Sequence, residues 1–192
     1  MSLSSLSGRF EEALVHAFRL HRDQRRKASG VPYVSHLLAV TSLVIEHGGG
    51  EEEAIAALLH DAVEDQGGAP VLDEIRKRFG DRVAAIVEAC SDTDEHPKPP
   101  WRSRKEAHLT RLLQACASVK LVSAADKVHN ARSILADYRQ GGETVWNRFS
   151  GGKEGTLWYY RAALEALREG APPALLEELE RVLDEIEGLA RT

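Results

Sequence analysis

Hydrophobic residues recur along the chain at the spacing of amphipathic helices. From Leu3 to Leu20 apolar positions return at helical spacing with charged residues between them, and charged residues continue to Lys27, which predicts a first long helix over residues 3–27. Segments of the same kind follow, and glycine pairs or prolines separate most of them. No stretch alternates between apolar and polar residues over a useful length, as an amphipathic strand would. The pattern therefore predicts an all-α protein.

Capping and helix-breaking residues predict about nine or ten helices. Ser35 is expected to cap the second helix, and Glu51 opens a third helix that should continue to Gly67. A loop with three prolines is expected over residues 94–104. We expect residues 1–192 to form one domain, with a core over residues 10–165 and a C-terminal packing helix over 172–190. The second helix, with His36 in its first turn, should run to the Gly48 break, and the other predicted helices cover residues 71–79, 81–90, 105–115, 119–138, 145–149, 154–167 and 173–189.

The composition is that of a globular protein, with 43% hydrophobic and 29% charged residues. A net charge of -5 argues against a general nucleic-acid binder, which needs a basic excess. Cys90 and Cys116 form no CxxC pattern, which suits a reducing compartment. No apolar run approaches the roughly 20 residues of a membrane helix, and no signal peptide is recognisable. We therefore expect a cytoplasmic protein without a membrane partner.

A cluster of polar residues ends the third helix. The apolar run in AIAALLHDAVED, residues 54–65, stops at His60 and Asp61, and Glu64 and Asp65 follow. Offsets of three and four place these side chains on one helix face. Such a cluster is costly to bury unless its charges meet a cation. We interpret it as half of a divalent metal site.

His36 and Asp126 are the candidates for the other half of this site. Each is weak evidence alone, because a histidine on an apolar helix is more often a hydrogen-bonded core residue. Asp126 could equally pair with a lysine or an arginine. Together with His60 and Asp61 they form a set of two imidazoles and two carboxylates, which accepts Mn²⁺, Fe²⁺ or Zn²⁺.

The order of these residues resembles the metal-binding signature of the HD superfamily of phosphohydrolases. Four segments are similar, in order, to motifs of the hydrolase domain of the Rel/Spo stringent-response enzymes and of the stand-alone small alarmone hydrolases. The resemblance covers about residues 10–165, and its ordered motifs are specific. The four segments are GVPYVSHLLAV, AALLHDAVED, RFGDRVAAIVEACSDT and KLVSAADKVHNARSI.

The resemblance implies an HD-type helical bundle that hydrolyses the 3′-pyrophosphate of (p)ppGpp to GDP or GTP plus pyrophosphate. Because no synthetase domain is recognisable, only degradation is expected. Glu64 and Asp65 match the acidic pair that orients and deprotonates the attacking water, and Asn130 matches an asparagine that contacts the substrate. One ion, Mn²⁺ by family analogy, would be bound by His36, His60, Asp61 and Asp126.

The predicted phosphate-binding cations lie mainly before the first histidine motif. Many Rel/Spo hydrolases have an arginine nine residues before that histidine, where this chain has Lys27. Arg25 and Arg26 retain the positive charge, but a guanidinium that could stack on a base is displaced or lost. Lys153 is a more distant candidate.

Two further groups of residues each have two interpretations. The first group forms either a basic lid or a solvated loop face, and it contains Trp101, Arg102, Arg104 and Lys105. The second group either shapes a base pocket or belongs to the core, and it contains Trp146, Trp158, Tyr159 and Tyr160.

Three other functions compete with this hypothesis. A phosphatase of another nucleotide, such as a nucleoside monophosphate, a deoxynucleotide or NADPH, is the nearest alternative. A catalytically silent nucleotide-binding module is the second, although it would not need Glu64 and Asp65. A helical bundle with buried polar pairs is the third. The sequence leaves the base preference and a homodimeric state open.

Overall fold

The computed structural model describes residues 5–27, 29–92 and 99–191, and this part of the chain is mostly helical. It contains no β-strand, so the all-α prediction is confirmed. No helix within these ranges is long and apolar enough to cross a lipid bilayer. The α-helices are α1 (Gly8–Leu20), α2 (Val34–Glu46), α3 (Glu51–Leu59), α4 (Ala62–Gln66), α5 (Ala69–Phe79), α6 (Asp81–Cys90), α7 (Trp101–Leu113), α8 (Ala117–Gly141), α9 (Gly152–Leu167) and α10 (Pro173–Leu189), with a 3₁₀ helix at Gly142–Arg148.

The centre of the core is α3, which is apolar on every side. Every residue from 54 to 59 is fully buried, as expected for a helix surrounded by other helices. It packs against α1, α2, α6 and α8. The 25-residue α8 is the longest of the described helices and packs against α2, α6 and α10 as well. These two helices therefore hold in place the polar residues that they carry.

The first helix is shorter than the predicted helix over residues 3–27. It begins after Ser7, whose Oγ accepts a hydrogen bond of 3.2 Å from the backbone N–H of Arg9, and it ends at Leu20. Residues 1–4 lie outside the described ranges. The prediction of a continuous helix to Lys27 is wrong.

Residues 21–33 form a loop instead, which we call the 21–33 loop. Arg25 and Pro32 form an isolated antiparallel bridge, and the backbone N–H of Tyr33 donates to the carbonyl of Gln24 over 3.0 Å. Ala28 lies outside the described residues. The apolar spacing ends at Leu20, and the polar residues after it leave the helix because their side chains bond to α4 and α8.

The second helix begins at Val34, and the predicted cap at Ser35 is wrong. Tyr33 takes the cap position, and the carbonyl of Pro32 just before it accepts a hydrogen bond of 3.1 Å from the N–H of Ser35.

The predicted helix from Glu51 to Gly67 is two helices, α3 and α4. The break falls at His60 and Asp61, whose backbone angles stay in the right-handed helical region (φ -60°, ψ -29° and φ -96°, ψ -3°). The helical spacing of side chains is therefore largely preserved across the break, which is why the sequence pattern does not reveal it.

The seventh helix begins inside the predicted loop over 94–104. It starts at Trp101, while residues 93–98 lie outside the described ranges. The indole of Trp101 packs against Gly151 and Gly155 of the α9 region, where an added Cβ would meet it at 2.6 Å and 3.2 Å. This contact joins the start of α7 to the start of α9.

Candidate metal centre and nucleotide cavity

His60 stands at the end of the buried α3 with one side of its ring fixed. Its Nδ1 donates a hydrogen bond of 2.8 Å to the carbonyl of Ala57. The side chain is only 4% exposed. Because Nδ1 is engaged with a carbonyl, Nε2 is the ring atom that faces the carboxylates, and a metal would bind it in place of a proton.

His36 lies in the first turn of α2, and its Nδ1, like that of His60, makes a hydrogen bond that fixes the ring. Its Nδ1 is 2.8 Å from Nδ1 of His129 on α8, so one of the two rings donates to the other. Burial, followed by the proximity of His36, lowers the pKa of His129 to about 4. His129 is therefore neutral and can accept the proton of His36 Nδ1. That arrangement leaves Nε2 of His36 as the ring atom that could bind a metal.

The two imidazoles converge with two carboxylates. His36 Nε2 lies 3.3 Å from Asp126 Oδ1 and 3.4 Å from Asp61 Oδ2, while His60 Nε2 lies 3.0 Å from Asp61 Oδ2. Ligand atoms of His36, His60 and Asp126 all lie within 4.8 Å of one another. Neither buried Nε2 makes a hydrogen bond of good geometry in the described part of the chain. Ligand atoms grouped around one point in this way fit a divalent cation, whose bonds to such atoms are about 2.0–2.2 Å.

Asp126 is also tied to two neighbours on α8. Lys127 Nζ donates to its Oδ2 over 2.6 Å, and Asn130 Nδ2 donates to its Oδ1 over 2.5 Å. Burial alone would raise the pKa of Asp126, but the ammonium of Lys127 and the two imidazoles hold it well below its usual value. The carboxylate is therefore ionised and available as a ligand.

Asp61 receives a hydrogen bond of 2.6 Å from the hydroxyl of Tyr33 at the end of the 21–33 loop. Burial opposes ionisation of Asp61, yet His60 and His36 keep its pKa well below the usual value. Burial and the negative charge of Asp61 raise the pKa of Tyr33, so its hydroxyl keeps its proton and remains a donor. Tyr33 thus orients one of the candidate ligands.

Glu64 and Asp65 follow on the short α4, and both line the same cavity as His60, Asp61 and Asp126. Gln24 Nε2 donates a hydrogen bond of 2.7 Å to Asp65 Oδ2. Desolvation, followed by the charges of Asp61 and Glu64, raises the pKa of Asp65. An acid pair beside the ligand set can orient a water molecule and accept its proton.

The cavity has a volume of about 440 Å³, which is within the range of small-molecule sites. Asp61 and Asp126 lie in its wall, and Tyr159 and Tyr160 line it as well. Cations surround it and can offset the charge of a phosphorylated ligand. The cationic side chains in its lining are Arg25, Arg26, Lys27, Arg104, Lys105, Lys127 and Arg148.

Sequence comparison places this site within a known family. The HD domain family matches residues 13–157, which is more than half of the chain. The chain belongs to the HD domain family. The match contains all four candidate ligands of this HD domain, and both members of the acid pair.

Relatives of this HD domain include two animal proteins of similar length. The guanosine-3′,5′-bis(diphosphate) 3′-pyrophosphohydrolase MESH1 of Homo sapiens is 35% identical over 135 residues, which cover 69% of this chain and 73% of that protein. The protein of the same name from Drosophila melanogaster is 32% identical over 138 residues, covering 70% and 74%. A probable guanosine-3′,5′-bis(diphosphate) 3′-pyrophosphohydrolase of Synechocystis is 34% identical over 127 residues, but only 16% of that longer protein is covered.

Two solved structures share the fold of this HD domain. A metazoan ortholog of SpoT, described as hydrolyzing ppGpp, superposes with a TM-score of 0.79 at 25% identity, over 97% of this chain and 99% of that chain. The protein lmo0812 of Listeria monocytogenes EGD-e gives a TM-score of 0.68 at 27% identity, over 82% and 99%.

The structure brings the predicted substrate-binding residues together, except for Lys153. In this HD domain, Arg26 lines the cavity, and its NH2 donates a hydrogen bond of 2.8 Å to Asn130 Oδ1. Its guanidinium also lies 5.8 Å from the ring centroid of Tyr33. A guanidinium one position before Lys27 is therefore present in the cavity. Lys27 also lines the cavity.

Lys153 lies elsewhere, at the start of α9. Its Nζ donates to Glu143 Oε1 over 2.9 Å and to the carbonyl of Ala190 over 2.6 Å. It is absent from the cavity lining in the described part of the chain. These contacts give it a structural role near the end of α10.

The candidate lid residues are part of α7. Trp101, Arg104 and Lys105 line the cavity of the HD domain, so their interpretation as a solvated loop face is wrong. Lys105 Nζ lies 3.0 Å from Asp92 Oδ2 and 4.8 Å from the ring centroid of Tyr159. Arg102 instead covers the ring of Trp158.

Sequence reasoning missed residues that support the ligands. Tyr33 stands three positions before His36, and His129 stands three positions after Asp126, so each lies about one helical turn from a ligand. That spacing could have identified Tyr33 and His129 from the sequence. No local spacing identifies Gln24, because its partner Asp65 is 41 positions away in the sequence.

Proposed function

We propose that this HD domain is a metal-dependent phosphohydrolase that removes the 3′-pyrophosphate of (p)ppGpp, giving GDP or GTP plus pyrophosphate. The convergence of two imidazoles and two carboxylates beside an acid pair, in a cavity lined by cations, carries this proposal. The relatives named 3′-pyrophosphohydrolases and the structure described as hydrolyzing ppGpp support the choice of substrate.

His36, His60, Asp61 and Asp126 are the proposed ligands of one divalent ion. We propose Mn²⁺, and the same donor set accepts Fe²⁺ or Zn²⁺. When bound, the ion would lower the pKa of water and offset negative charge on the phosphoryl oxygens.

The acid pair has the role of orienting water and receiving its proton. Asp65 suits the second task, because its raised pKa makes it a stronger base than an ordinary carboxylate. Glu64 lies one position earlier on α4 and lines the same cavity.

The cations have the role of binding the phosphates. Arg26 is held by Asn130 and lies beside Tyr33, so its guanidinium is preorganised at the cavity wall. Lys127 bridges the ligand Asp126 and the ring face of Tyr159, 5.6 Å from the ring centroid. Each can compensate charge that develops on the reacting phosphate.

The test is hydrolysis of ppGpp by the purified protein loaded with Mn²⁺, with pyrophosphate and GDP measured as products. We expect both products in equal amounts, and we expect His60→Ala to reduce the rate at least about a hundredfold because one ligand is lost. A parallel panel of nucleoside monophosphates, deoxynucleotides and NADPH, assayed for phosphate, separates the alternative phosphatase. Intact ppGpp, or equal rates for wild type and His60→Ala, would contradict the proposal.

We further propose that residues 1–192 act as one hydrolytic unit. The matched region ends at residue 157, but α10 packs against both α8 and α9, which line the cavity. Ion pairs of Arg161 with Asp184 and Glu187 join α9 to α10 at 2.6 Å and 2.7 Å.

A further inference from the structure

One group of polar residues next to the acid pair has no part in the proposed reaction. His21 and Gln24 belong to the 21–33 loop, and Gln66 is the last residue of α4. None is a candidate ligand or a candidate phosphate contact. All three are joined by short hydrogen bonds, and the chain of bonds ends on Asp65.

The orientation of the Gln24 amide is determined by its neighbours. Its Oε1 lies 2.6 Å from His21 Nδ1 and accepts a hydrogen bond of 2.5 Å from Gln66 Nε2. An amide oxygen can only accept, so His21 Nδ1 must be the donor. The Nε2 of Gln24 then faces Asp65 Oδ2 at 2.7 Å. A flipped amide would place an oxygen against the carboxylate and lose the bond to Asp65.

His21 is itself fixed. It is 1% exposed, and its ring stacks on the ring of Tyr33 with a centroid distance of 5.3 Å and an interplanar angle of 17°. The hydroxyl of Tyr33 in turn donates to Asp61. The 21–33 loop therefore contacts the candidate ligand Asp61 through Tyr33 and the candidate proton acceptor Asp65 through Gln24.

Asp65 needs such support, because it lies on a five-residue helix and its side chain is exposed. An exposed aspartate samples several rotamers. Within the described residues, the donor that meets its carboxylate is Gln24, which binds Oδ2 and leaves Oδ1 available. Holding one oxygen fixes the direction of the other.

We propose that Gln24 is a positioning residue, whose amide N–H holds Asp65 Oδ2 so that Oδ1 receives the proton of the attacking water. This inference rests on the proposed function only in giving Asp65 that role, and it does not depend on which phosphate ester is cleaved. Loss of a supporting bond of this kind lowers activity about 10–100-fold, since a displacement of about 1 Å is enough.

The test compares Gln24→Met, which keeps the length of the side chain and removes the amide, with Gln24→Glu, which turns an acceptor toward Asp65. We expect kcat for ppGpp to fall about 10–100-fold in both, with KM changed less than about threefold, because the substrate-binding cations are untouched. Gln114→Met, the same replacement at the exposed end of α7, is the matched control and should keep wild-type kcat. Bound Mn²⁺ and the thermal midpoint of each variant show whether the fold and metal content are retained.

A double-mutant cycle separates positioning from a general structural role. If Gln24 acts through Asp65, then Gln24→Met in an Asp65→Asn background should change kcat less than about twofold. An equal loss in both backgrounds, a change in KM alone, or wild-type kcat in Gln24→Met would overturn the inference.

A second substrate keeps this test apart from the test of the proposed function. Bis(4-nitrophenyl) phosphate reports metal-dependent ester hydrolysis without a nucleotide. If ppGpp is not cleaved, the proposed substrate is wrong, and the same cycle measured with the chromogenic ester still supports or overturns the role of Gln24. If neither compound is hydrolysed by the Mn²⁺-loaded wild type, both proposals fail.

Discussion

At the scale of single residues, the two imidazoles of the candidate metal site differ in what holds them. His60 donates to a backbone carbonyl of its own helix, a partner that no substitution removes. His36 relies on the side chain of His129, which comes from another helix. The orientation of His36 is therefore the more vulnerable of the two.

Replacing His129 by phenylalanine should weaken metal binding. The ring volume is kept, but the acceptor for His36 Nδ1–H is lost, so the orientation of His36 Nε2 is no longer specified. We expect the Kd for Mn²⁺ to rise about 10–100-fold. Titration calorimetry measures it, with His47→Phe at the C-terminal end of α2 as the control. An unchanged Kd in His129→Phe would show that His36 is held by packing alone.

His108 provides a pH-dependent contribution to stability. Burial, followed by the positive charges of Lys127 and Lys105, lowers its pKa to about 3 in the folded protein. The ring protonates near pH 6.5 in the unfolded chain, so its stabilising contribution is present above pH 6.5 and is lost as the pH falls toward 3. Between pH 7 and pH 5 this loss amounts to about 2 kcal/mol.

The substitution His108→Gln removes this titration. Urea unfolding at pH 7 and pH 5 should therefore show a smaller decrease in the free energy of unfolding for the variant than for the wild type, by about 2 kcal/mol. Because other groups titrate equally in both proteins, the difference isolates His108. Equal decreases would mean that the folded protein protonates His108 at an ordinary pH.

At the scale of helices, the start of α7 depends on glycine in its neighbour. Gly151 and Gly155 leave the space that the indole of Trp101 fills, and Trp101 is also part of the cavity wall. This contact between side chain and backbone determines where α7 can begin after the proline-rich segment.

A methyl group at position 151 should disrupt this contact. In Gly151→Ala the new Cβ would lie 2.6 Å from the indole of Trp101, so the ring must move. We expect a loss of about 1–3 kcal/mol in unfolding free energy, measured by urea titration. Gly188→Ala, on α10 with open space around it, is the control. The double variant Gly151→Ala with Trp101→Ala should lose less than the two single losses added together.

The sequence predicted helices well where local signals decide them, and poorly where distant contacts do. The predicted bounds of α10 match because proline and the apolar stripe are both local. Residues 21–27 were predicted as helix but belong to the 21–33 loop, whose bonds to Asp65 and Asn130 involve partners far along the chain. The four candidate ligands were predicted from their order, whereas Tyr33 and His129 gained meaning only from the structure.

At the scale of the whole molecule, the last helix is tied to the rest by ion pairs and by Lys153. The ammonium of Lys153 links the 3₁₀ helix, through Glu143, to the carbonyl of Ala190 after α10. Such a link holds the C-terminal helix near the end of α8 and contributes nothing to the wall of the cavity.

Lys153→Met should therefore leave hydrolysis almost unchanged. We expect kcat/KM for ppGpp within about twofold of wild type, together with a decrease of up to about 1 kcal/mol in unfolding free energy, because the pair with Glu143 is partly exposed. Steady-state kinetics and urea titration measure the two effects. A large increase in KM with normal stability would restore Lys153 as a phosphate-binding residue.

The burial of α3 affects how the candidate metal site is lost on heating. His60 and Asp61 directly follow six residues that are each fully enclosed by other helices. This segment cannot detach locally, because releasing it would open the interior to water. Release of His60 from the candidate metal site on heating should then coincide with cooperative melting of the entire fold.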